Sequence, residues 1–404
     1  MILSTVLWML VWAGMYSDVS RFRWDDLLRS PAGFLLALRP FLPIIAMVLG
    51  LILFRRSERT AWPLSGGPLA ALGLYGLIGG LFFFLSPDPF LSLYWAVLFL
   101  AVIITAWSLV NRDEPEAQAR ALMNVNAAVI ITLVVFYLAG PLWPILRGAY
   151  NPRLYKLPFG LGIQTANGVG RFAGVLALVS LSRLRQPELV KKAVWSGLLA
   201  LSVAGLALSE SRTAILGFVV GTLFIVAANR KFSWLFAVIP GLFFFLYKAW
   251  FVWRFKGSLE NAFFLTGRET TWHRALDLAF RSPFAGHGFH ADRLMLEGEH
   301  VHMAYLHSLI QSGVPGALLF TGAIVGIWVL VVRNRVVQRM VLVEGAANFP
   351  LTEAVAVLGF LTARSFFEST AAFYGVDLLL LAPVLAYLQV WCRDNPEPEP
   401  SHRP

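Results

Sequence analysis

Residues 267–316 read GRETTWHRALDLAFRSPFAGHGFHADRLMLEGEHVHMAYLHSLIQSGVPG, the longest polar interval in a strongly apolar chain. Six of the seven histidines lie in this stretch, together with four arginines. It is therefore basic and rich in groups that titrate near neutral pH. The apolar sequence on both sides predicts that the stretch forms a loop at a membrane surface.

The composition predicts an all-α integral membrane protein. Of the 404 residues, 58% are hydrophobic and only 14% are charged, whereas a soluble domain carries roughly 25% charged residues. The apolar residues form continuous blocks, and a helix of roughly 20 such residues crosses the hydrocarbon core of a bilayer. About twelve blocks qualify as spans. They lie at about 2–17, 35–54, 66–86, 91–110, 122–140, 168–182, 193–209, 213–228, 234–252, 314–332, 350–367 and 374–391.

The charges between the spans predict the orientation of the chain. Alternate gaps are short and basic, so the positive-inside rule places them, and both termini, in the cytoplasm. The two longest gaps, 141–167 and 253–313, then face outward. We expect one polytopic membrane domain over 1–392 and a disordered, proline-rich cytoplasmic tail over 393–404. The apolar N-terminus lacks a basic leader and is predicted to be an uncleaved first span.

Arginines on the predicted outer face run against the usual charge bias and suggest a bound anion. Arg212 lies in the short turn Ser209–Glu210–Ser211–Arg212 between two spans. Its planar guanidinium suits phosphate, although it could also snorkel to the interface. A second charged turn runs from Arg364 to Glu368.

The outer loop 141–167 interleaves cations with aromatic residues. Arg147, Arg153 and Lys156 lie beside Tyr150 and Tyr155. This pattern suits a sugar diphosphate, because cations bind phosphate and aromatic rings bind sugar faces. A solvated loop with interfacial tyrosines is an equally good explanation.

The large loop is predicted to begin with a short amphipathic helix. Arg268 lies one turn before Trp272, and Leu276 and Phe280 continue the Trp272 face. Such a helix could rest at the interface with Trp and Arg as ordinary anchors. That position does not prevent Arg268 from facing a bound headgroup.

The segment His300–His307 is predicted to begin the helix that leads into the tenth span. A histidine here could act as a general base, because a free imidazole titrates near pH 6.5. His287-x-x-His290 and His300-x-His302 also invite a metal interpretation. That signal is weak, since the sequence has no HExxH motif and no carboxylate at ligand spacing, and we predict no metal.

Four motifs in this order resemble the O-antigen ligase and O-antigen polymerase superfamily. They are Ser209–Arg212, Gly267–Arg268 with Trp272, Gly286–Phe289, and His302 with Tyr305, Leu306 and Gly313. Two positions depart from the family pattern. Met303 stands where many members have Asn, and Gln164–Asn167 stands where many have an Asn-Pro-Asn-like element, with Asn167 as the matching position.

The resemblance implies an architecture like that of C-type membrane glycosyltransferases, with short helices in the large loop between spans nine and ten. The donor would be a polysaccharide on undecaprenyl diphosphate. The acceptor would be a sugar hydroxyl of lipid A–core, at the periplasmic face of a bacterial inner membrane. No cofactor, metal or nucleotide sugar is implied.

The residues can be given roles in such a transfer. Arg212 and Arg268 would stabilise the leaving diphosphate, and His302, or His300 two residues earlier, would act as general base in one inverting displacement. Glu210 is an alternative base or an orienting partner. The further substrate-binding candidates are Arg147, Arg153, Lys156, Asn167, Trp272, Tyr305 and Arg364.

Other functions remain open at this point. A polymerase of the same superfamily would share the fold and the donor, and the compact chain with Arg364 near Glu368 favours a ligase. A protein O-oligosaccharyltransferase usually carries an additional outer C-terminal region. A transporter or flippase of a lipid-linked anionic glycan would be expected to show repeat symmetry, which the sequence lacks.

Overall fold

The computed structural model describes residues 1–15, 34, 37–55, 66–139, 154–156, 163–184, 186, 188–209, 211–228, 268–342 and 349–396. The predicted span at 234–252 and the candidate residues Arg147, Arg153 and Glu210 lie outside these ranges. Lys156 lies in a short strand.

The described residues are almost entirely helical. The helices are α1 (Ile2–Ala13), α2 (Leu42–Arg55), α3 (Pro68–Leu81), α4 (Pro89–Val110), α5 (Pro115–Ala139), α6 (Ala166–Arg183), α7 (Leu189–Ser209), α8 (Arg212–Ala228), α9 (Arg268–Arg281), α10 (Ala291–Met295), α11 (Ala304–Arg333), α12 (Val336–Leu342), α13 (Phe349–Ser365) and α14 (Val376–Asp394). Two 3-10 turns cover Arg39–Phe41 and Phe83–Leu85. Strands β1 (Leu154–Lys156) and β2 (Ile163–Thr165) pair antiparallel within the predicted outer loop.

The helical membrane class predicted from composition is confirmed. Among the described residues, the helices α4, α5, α7, α11 and α14 are long and apolar enough to cross a membrane, and α1, α3 and α8 are shorter apolar helices. Every predicted apolar block that lies within the described ranges contains a helix. The chain is thus a multi-pass helical protein.

The core of the bundle lies around α13 and α14. Nearly every residue of α14 is buried, as expected for a helix that is apolar on all sides and enclosed by other helices. Helix α6 packs against α7, α8 and α13, and α11 packs against α3. The ends of these helices bring the polar segments of the chain together.

A break in α11 fastens the large loop to the bundle. Gly313 has a φ of 62°, and an added Cβ there would lie 2.5 Å from the carbonyl carbon of Phe284. The backbone N–H of Val314 donates to the Pro283 carbonyl at 2.7 Å. Glycine at this position therefore permits both the left-handed turn and the close approach of the loop.

Two helix boundaries differ from the sequence-based expectations, and the structure also shows which face of α9 is buried. Helix α11 begins at Ala304 rather than at His300, and His302 precedes it with a φ of 50°. In α9 the buried face carries Ala275 and Leu278, so the predicted Trp272 face is the more exposed one. Helix α14 continues to Asp394, and residues 397–404 of the predicted tail lie outside the described residues.

Candidate functional site

Four segments that are distant from it in sequence meet at one carboxylate, Glu368, in the segment that follows α13. They are the start of α6, the start of α8, the start of α9 and the segment before α11. Each contributes a polar side chain. We call this set, Asn167, Thr213, Arg268, His302 and Glu368, the Glu368 cluster.

The two oxygens of Glu368 are shared among different partners. Oε1 accepts hydrogen bonds from Asn167 Nδ2 at 3.0 Å and from Arg268 Nη2 at 3.2 Å, and Thr213 Oγ1 lies 3.5 Å away. Oε2 lies 3.0 Å from Nδ1 of His302. The carboxylate therefore holds a cation, an amide and an imidazole in one arrangement.

Glu368 is ionised at neutral pH. Burial alone would raise the pKa of its carboxyl, but the hydrogen bond with His302 and the positive charges of Arg364 and Arg268 lower that pKa from 4.5 to about 2. A carboxyl with so low a pKa is a poor proton acceptor near pH 7. Its role in the cluster is to orient His302 and Arg268 and to balance the positive charge of the arginines.

The contact with Glu368 determines which nitrogen of His302 carries the proton. A carboxylate only accepts hydrogen bonds, so Nδ1 of His302 must donate. In the neutral imidazole the lone pair is then on Nε2, which makes no hydrogen bond with any described residue. The His302 side chain is 37% exposed, against 10% for Glu368. His302 thus presents a basic nitrogen toward the accessible side of the cluster.

Arginines surround the carboxylate. Arg268 also donates through Nη1 to the Phe367 carbonyl at 2.7 Å, which fixes the plane of its guanidinium. Arg212, the first residue of α8, is exposed and lies near Arg268. Two neighbouring guanidinium groups suit an anion that carries phosphate.

Arg364 lies behind Glu368 rather than at the surface. It is 2% exposed, stacks over the ring of Phe360, and its Nε and Nη1 atoms have no hydrogen-bond partner among the described residues. A substrate therefore does not reach it directly in this conformation. Its charge acts on Glu368 instead.

Asn167 links the carboxylate to the turn before α8. Its Oδ1 accepts a hydrogen bond from Ser211 Oγ at 3.0 Å while its Nδ2 donates to Glu368. Gly170 permits this contact, because a Cβ there would lie 2.6 Å from Ser209 Oγ and Ser211 Cβ. Because Gly170 has no side chain, α6 can pack closely against the turn that precedes Arg212.

The two aromatic candidates lie in supporting positions. Trp272 Nε1 donates to the Val301 carbonyl at 2.7 Å and so ties α9 to the segment that carries His302. The hydroxyl of Tyr305 accepts a hydrogen bond from Ser365 Oγ at 2.9 Å. Both residues join the segments on either side of the Glu368 cluster.

A second, buried polar group adjoins the cluster and is the place where a metal ion could bind. Asp292, His300 and His307 each offer one ligand atom, and these atoms lie within 4.8 Å of one another. Asp292 Oδ2 already accepts from His300 Nδ1 at 2.7 Å, and His307 Nδ1 lies 3.0 Å from Ser369 Oγ. Internal hydrogen bonds thus occupy most of these atoms.

Sequence reasoning missed the central position of Glu368. It treated this residue only as a neighbour of Arg364, and it did not single out Ser211 as a partner of Asn167 or Thr213 as a neighbour of Glu368. The available signal was the accumulation of charges at predicted outer span ends. The same signal would have found Arg171 in α6 and Asp377 in α14, which form an ion pair at 3.4 Å.

Comparison with known proteins gives one family match. A search of curated proteins found no match. Residues 197–321 match the family model described as O-Antigen ligase. This segment contains Arg212, Arg268, Trp272, His302 and Tyr305, while Asn167 and Glu368 lie outside it. Residues 197–321 are thus similar to the O-antigen ligase family, and this similarity supports a relationship of the chain to the O-antigen ligase superfamily.

Proposed function

We propose that the protein transfers a polysaccharide from undecaprenyl diphosphate to a sugar hydroxyl of lipid A–core. The observation that carries this proposal is the His302–Glu368 pair at 3.0 Å, with Arg268 on the other oxygen of the same carboxylate. A base and an anion-binding group are thus held side by side. A glycosyl transfer from a lipid diphosphate needs both.

In the proposed reaction, Nε2 of His302 removes the proton from the acceptor hydroxyl. The freed oxygen attacks the anomeric carbon of the donor, and the bond from that carbon to the diphosphate oxygen breaks. A single displacement inverts the anomeric configuration. Glu368 stabilises the imidazolium that forms, as carboxylates do in other histidine-based sites.

The leaving undecaprenyl diphosphate carries the negative charge that develops during transfer. Arg212 and Arg268 are proposed to bind it, since preorganised cations stabilise charge that forms in a transition state. Arg147, Arg153, Lys156 and Glu210 remain proposed contributors from segments outside the cluster.

The proposed setting is the periplasmic face of the bacterial inner membrane, with about twelve spans and both termini in the cytoplasm. The positive-inside pattern supports this orientation. In it, Asn167, Arg212, Arg268, His302 and Glu368 share the outer face. Asn167, Trp272, Tyr305 and Arg364 would shape the substrate-binding region.

The test is a transfer assay with purified protein in liposomes that contain polysaccharide on undecaprenyl diphosphate and lipid A–core. We expect the polysaccharide to appear on lipid A–core with an inverted linkage. Lengthening of the donor chain without acceptor would instead identify a polymerase. Movement of the donor across the bilayer with no new glycosidic bond would identify a transporter.

Addition of a chelator to the same assay is expected to leave the transfer rate unchanged. The proposed chemistry uses two arginines where nucleotide-sugar enzymes use a metal ion. The measurement is the initial rate with and without EDTA. A rate that falls with chelator and returns with added zinc would contradict this mechanism and direct attention to Asp292, His300 and His307.

Substitution of Arg212 or Arg268 with lysine is expected to lower the transfer rate roughly tenfold to a hundredfold. Lysine keeps the charge but loses the planar donor fork that binds two phosphate oxygens. Arg281→Lys, at the exposed end of α9, is the matched control and should keep the wild-type rate. Near-normal rates in both site variants would remove these arginines from the diphosphate site.

A further inference from the structure

A groove on the side of the bundle, far from the Glu368 cluster, is cationic and polar at one end and apolar at the other, which matches the headgroup and acyl chain of a phospholipid. It has a volume of about 500 Å³ and lies between α1 and α5. Met1, Thr5 and Met9 line one wall and recur every fourth residue, so they share a helix face. Arg120, Asn124 and Ala128 line the other wall with the same spacing.

The two walls run in the same direction. Trp8 and Trp12 both donate to Asn126 Oδ1 at 2.8 Å, which places α1 level with the middle of α5. Tyr374, just before α14, donates to the Val11 carbonyl, whereas Leu379 and then Tyr387 of α14 contact Asn126 and Glu116 of α5. The C-terminal ends of α1 and α5 therefore both lie toward the start of α14.

The groove extends from the level of Asn126 to the residues at the start of each helix. Arg120 therefore lies at one end and Ala128 about 12 Å deeper along α5. Along that wall, the lining changes from a cation to an amide and then to a methyl group.

The polar end of the groove offers hydrogen-bond donors. Arg183 Nη2 donates to Asn124 Oδ1 at 2.8 Å, and a guanidinium only donates, so the oxygen of Asn124 is engaged. The side-chain NH2 group of Asn124 is then the part of that residue that is left to donate to a ligand in the groove. Glu353 holds Arg183 in place with contacts of 2.7 and 3.0 Å. No Asp or Glu is among the described residues that line the groove.

The groove lies at the opposite end of the bundle from the proposed active site. Helix α6 begins beside Glu368 with Asn167 and ends at Arg183, which contacts the groove through Asn124. Sixteen helical residues separate these two positions, or about 24 Å. A ligand in the groove would thus not compete with the donor substrate.

We propose that this groove binds an anionic phospholipid from the leaflet opposite the active site. Its phosphate would contact Arg120 and Asn124, and one acyl chain would lie along Met9 and Ala128. Basic pockets between membrane helices bind anionic headgroups in this way. The charge favours an anionic lipid over a zwitterionic one, and the apolar depth favours a lipid over free phosphate.

The test compares lipid binding by the purified full-length protein, using native mass spectrometry and thermal stability in detergent. Phosphatidylglycerol is expected to bind and to raise the melting temperature, whereas phosphatidylcholine and inorganic phosphate should not. Arg120→Gln is expected to weaken phosphatidylglycerol binding by about tenfold, the effect of roughly 1.4 kcal/mol. Ala128→Trp, which fills the apolar end without changing charge, should also weaken it.

Arg333→Gln is the matched control, since it removes an exposed arginine at the end of α11 that does not line the groove. It should bind phosphatidylglycerol as the wild type does. The proposal is overturned if Arg120→Gln or Ala128→Trp retains full binding, or if both lipids protect the wild type equally. A dimer that Arg120→Gln dissociates would show that a second copy of the chain occupies the groove, and would likewise overturn it.

Discussion

His302→Ala is expected to slow glycan transfer by about 10²–10⁴-fold, the usual contribution of a general base. The reason is the proton arrangement that Glu368 imposes. Nδ1 of His302 donates to the carboxylate at 3.0 Å, so Nε2 is the atom left to accept the proton of the acceptor hydroxyl. Alanine removes that acceptor while the arginines remain in place. The initial transfer rate and the donor affinity should be measured together, because only the rate should change strongly.

The matched control is His273→Ala, an exposed histidine in α9 outside the Glu368 cluster. It should transfer at the wild-type rate. His300→Ala tests the alternative assignment of the base, since His300 lies two residues away and pairs with Asp292 at 2.7 Å. Transfer that survives in both the His302 and the His300 variants would contradict base catalysis by either residue.

Glu368→Gln is expected to reduce the transfer rate by about a hundredfold or more. The substitution disturbs the orientation of His302 and Arg268 and removes the negative charge between them. An amide cannot accept hydrogen bonds at both ends, so His302 and Arg268 could not both keep their present contacts. The loss of the carboxylate charge also removes one of the two carboxylates, Asp377 and Glu368, that offset the charge of the buried Arg364. The geometry of the base and of a proposed diphosphate-binding cation would change in one substitution.

The melting temperature separates this role from a purely structural one, because the loss of a positioning carboxylate should slow transfer in a variant that stays folded. The pH profile of transfer gives a second check. The Glu368 carboxylate stays charged above its pKa of about 2 and should add no limb in the neutral range. Glu269→Gln, an exposed carboxylate in the first turn of α9, is the control. An unchanged transfer rate in Glu368→Gln, with only a lower melting temperature, would contradict the positioning role.

Several parts of the site could be read from short motifs. Arg212 stands in a turn between two apolar blocks, and Arg268 opens a helix whose period is visible in the sequence. Both are local patterns, and local patterns determine where helices begin and end. The start of α11 was less predictable, because His302 takes a left-handed backbone conformation before the helix and the sequence gives no sign of it.

The convergence on Glu368 could not have been predicted from spacing. Its partners are 66, 100 and 201 residues away for His302, Arg268 and Asn167. Periodicity shows which residues share a face of one helix, but not which helices are neighbours. In an apolar bundle many helix arrangements satisfy the same hydropathy, so the pairing depends on details of packing such as the close approach at Gly170.

The sequence by itself determined that this protein is a multi-pass helical membrane protein, because continuous apolar blocks leave few alternatives in which backbone groups are satisfied. It also predicted that the chemistry lies in the basic, histidine-rich loop, where polar groups are concentrated. Only the tertiary structure decided that His302 has a carboxylate partner from the far end of the chain. Hydrogen bonds act over about 3 Å, and only the folded chain determines which distant segments come that close.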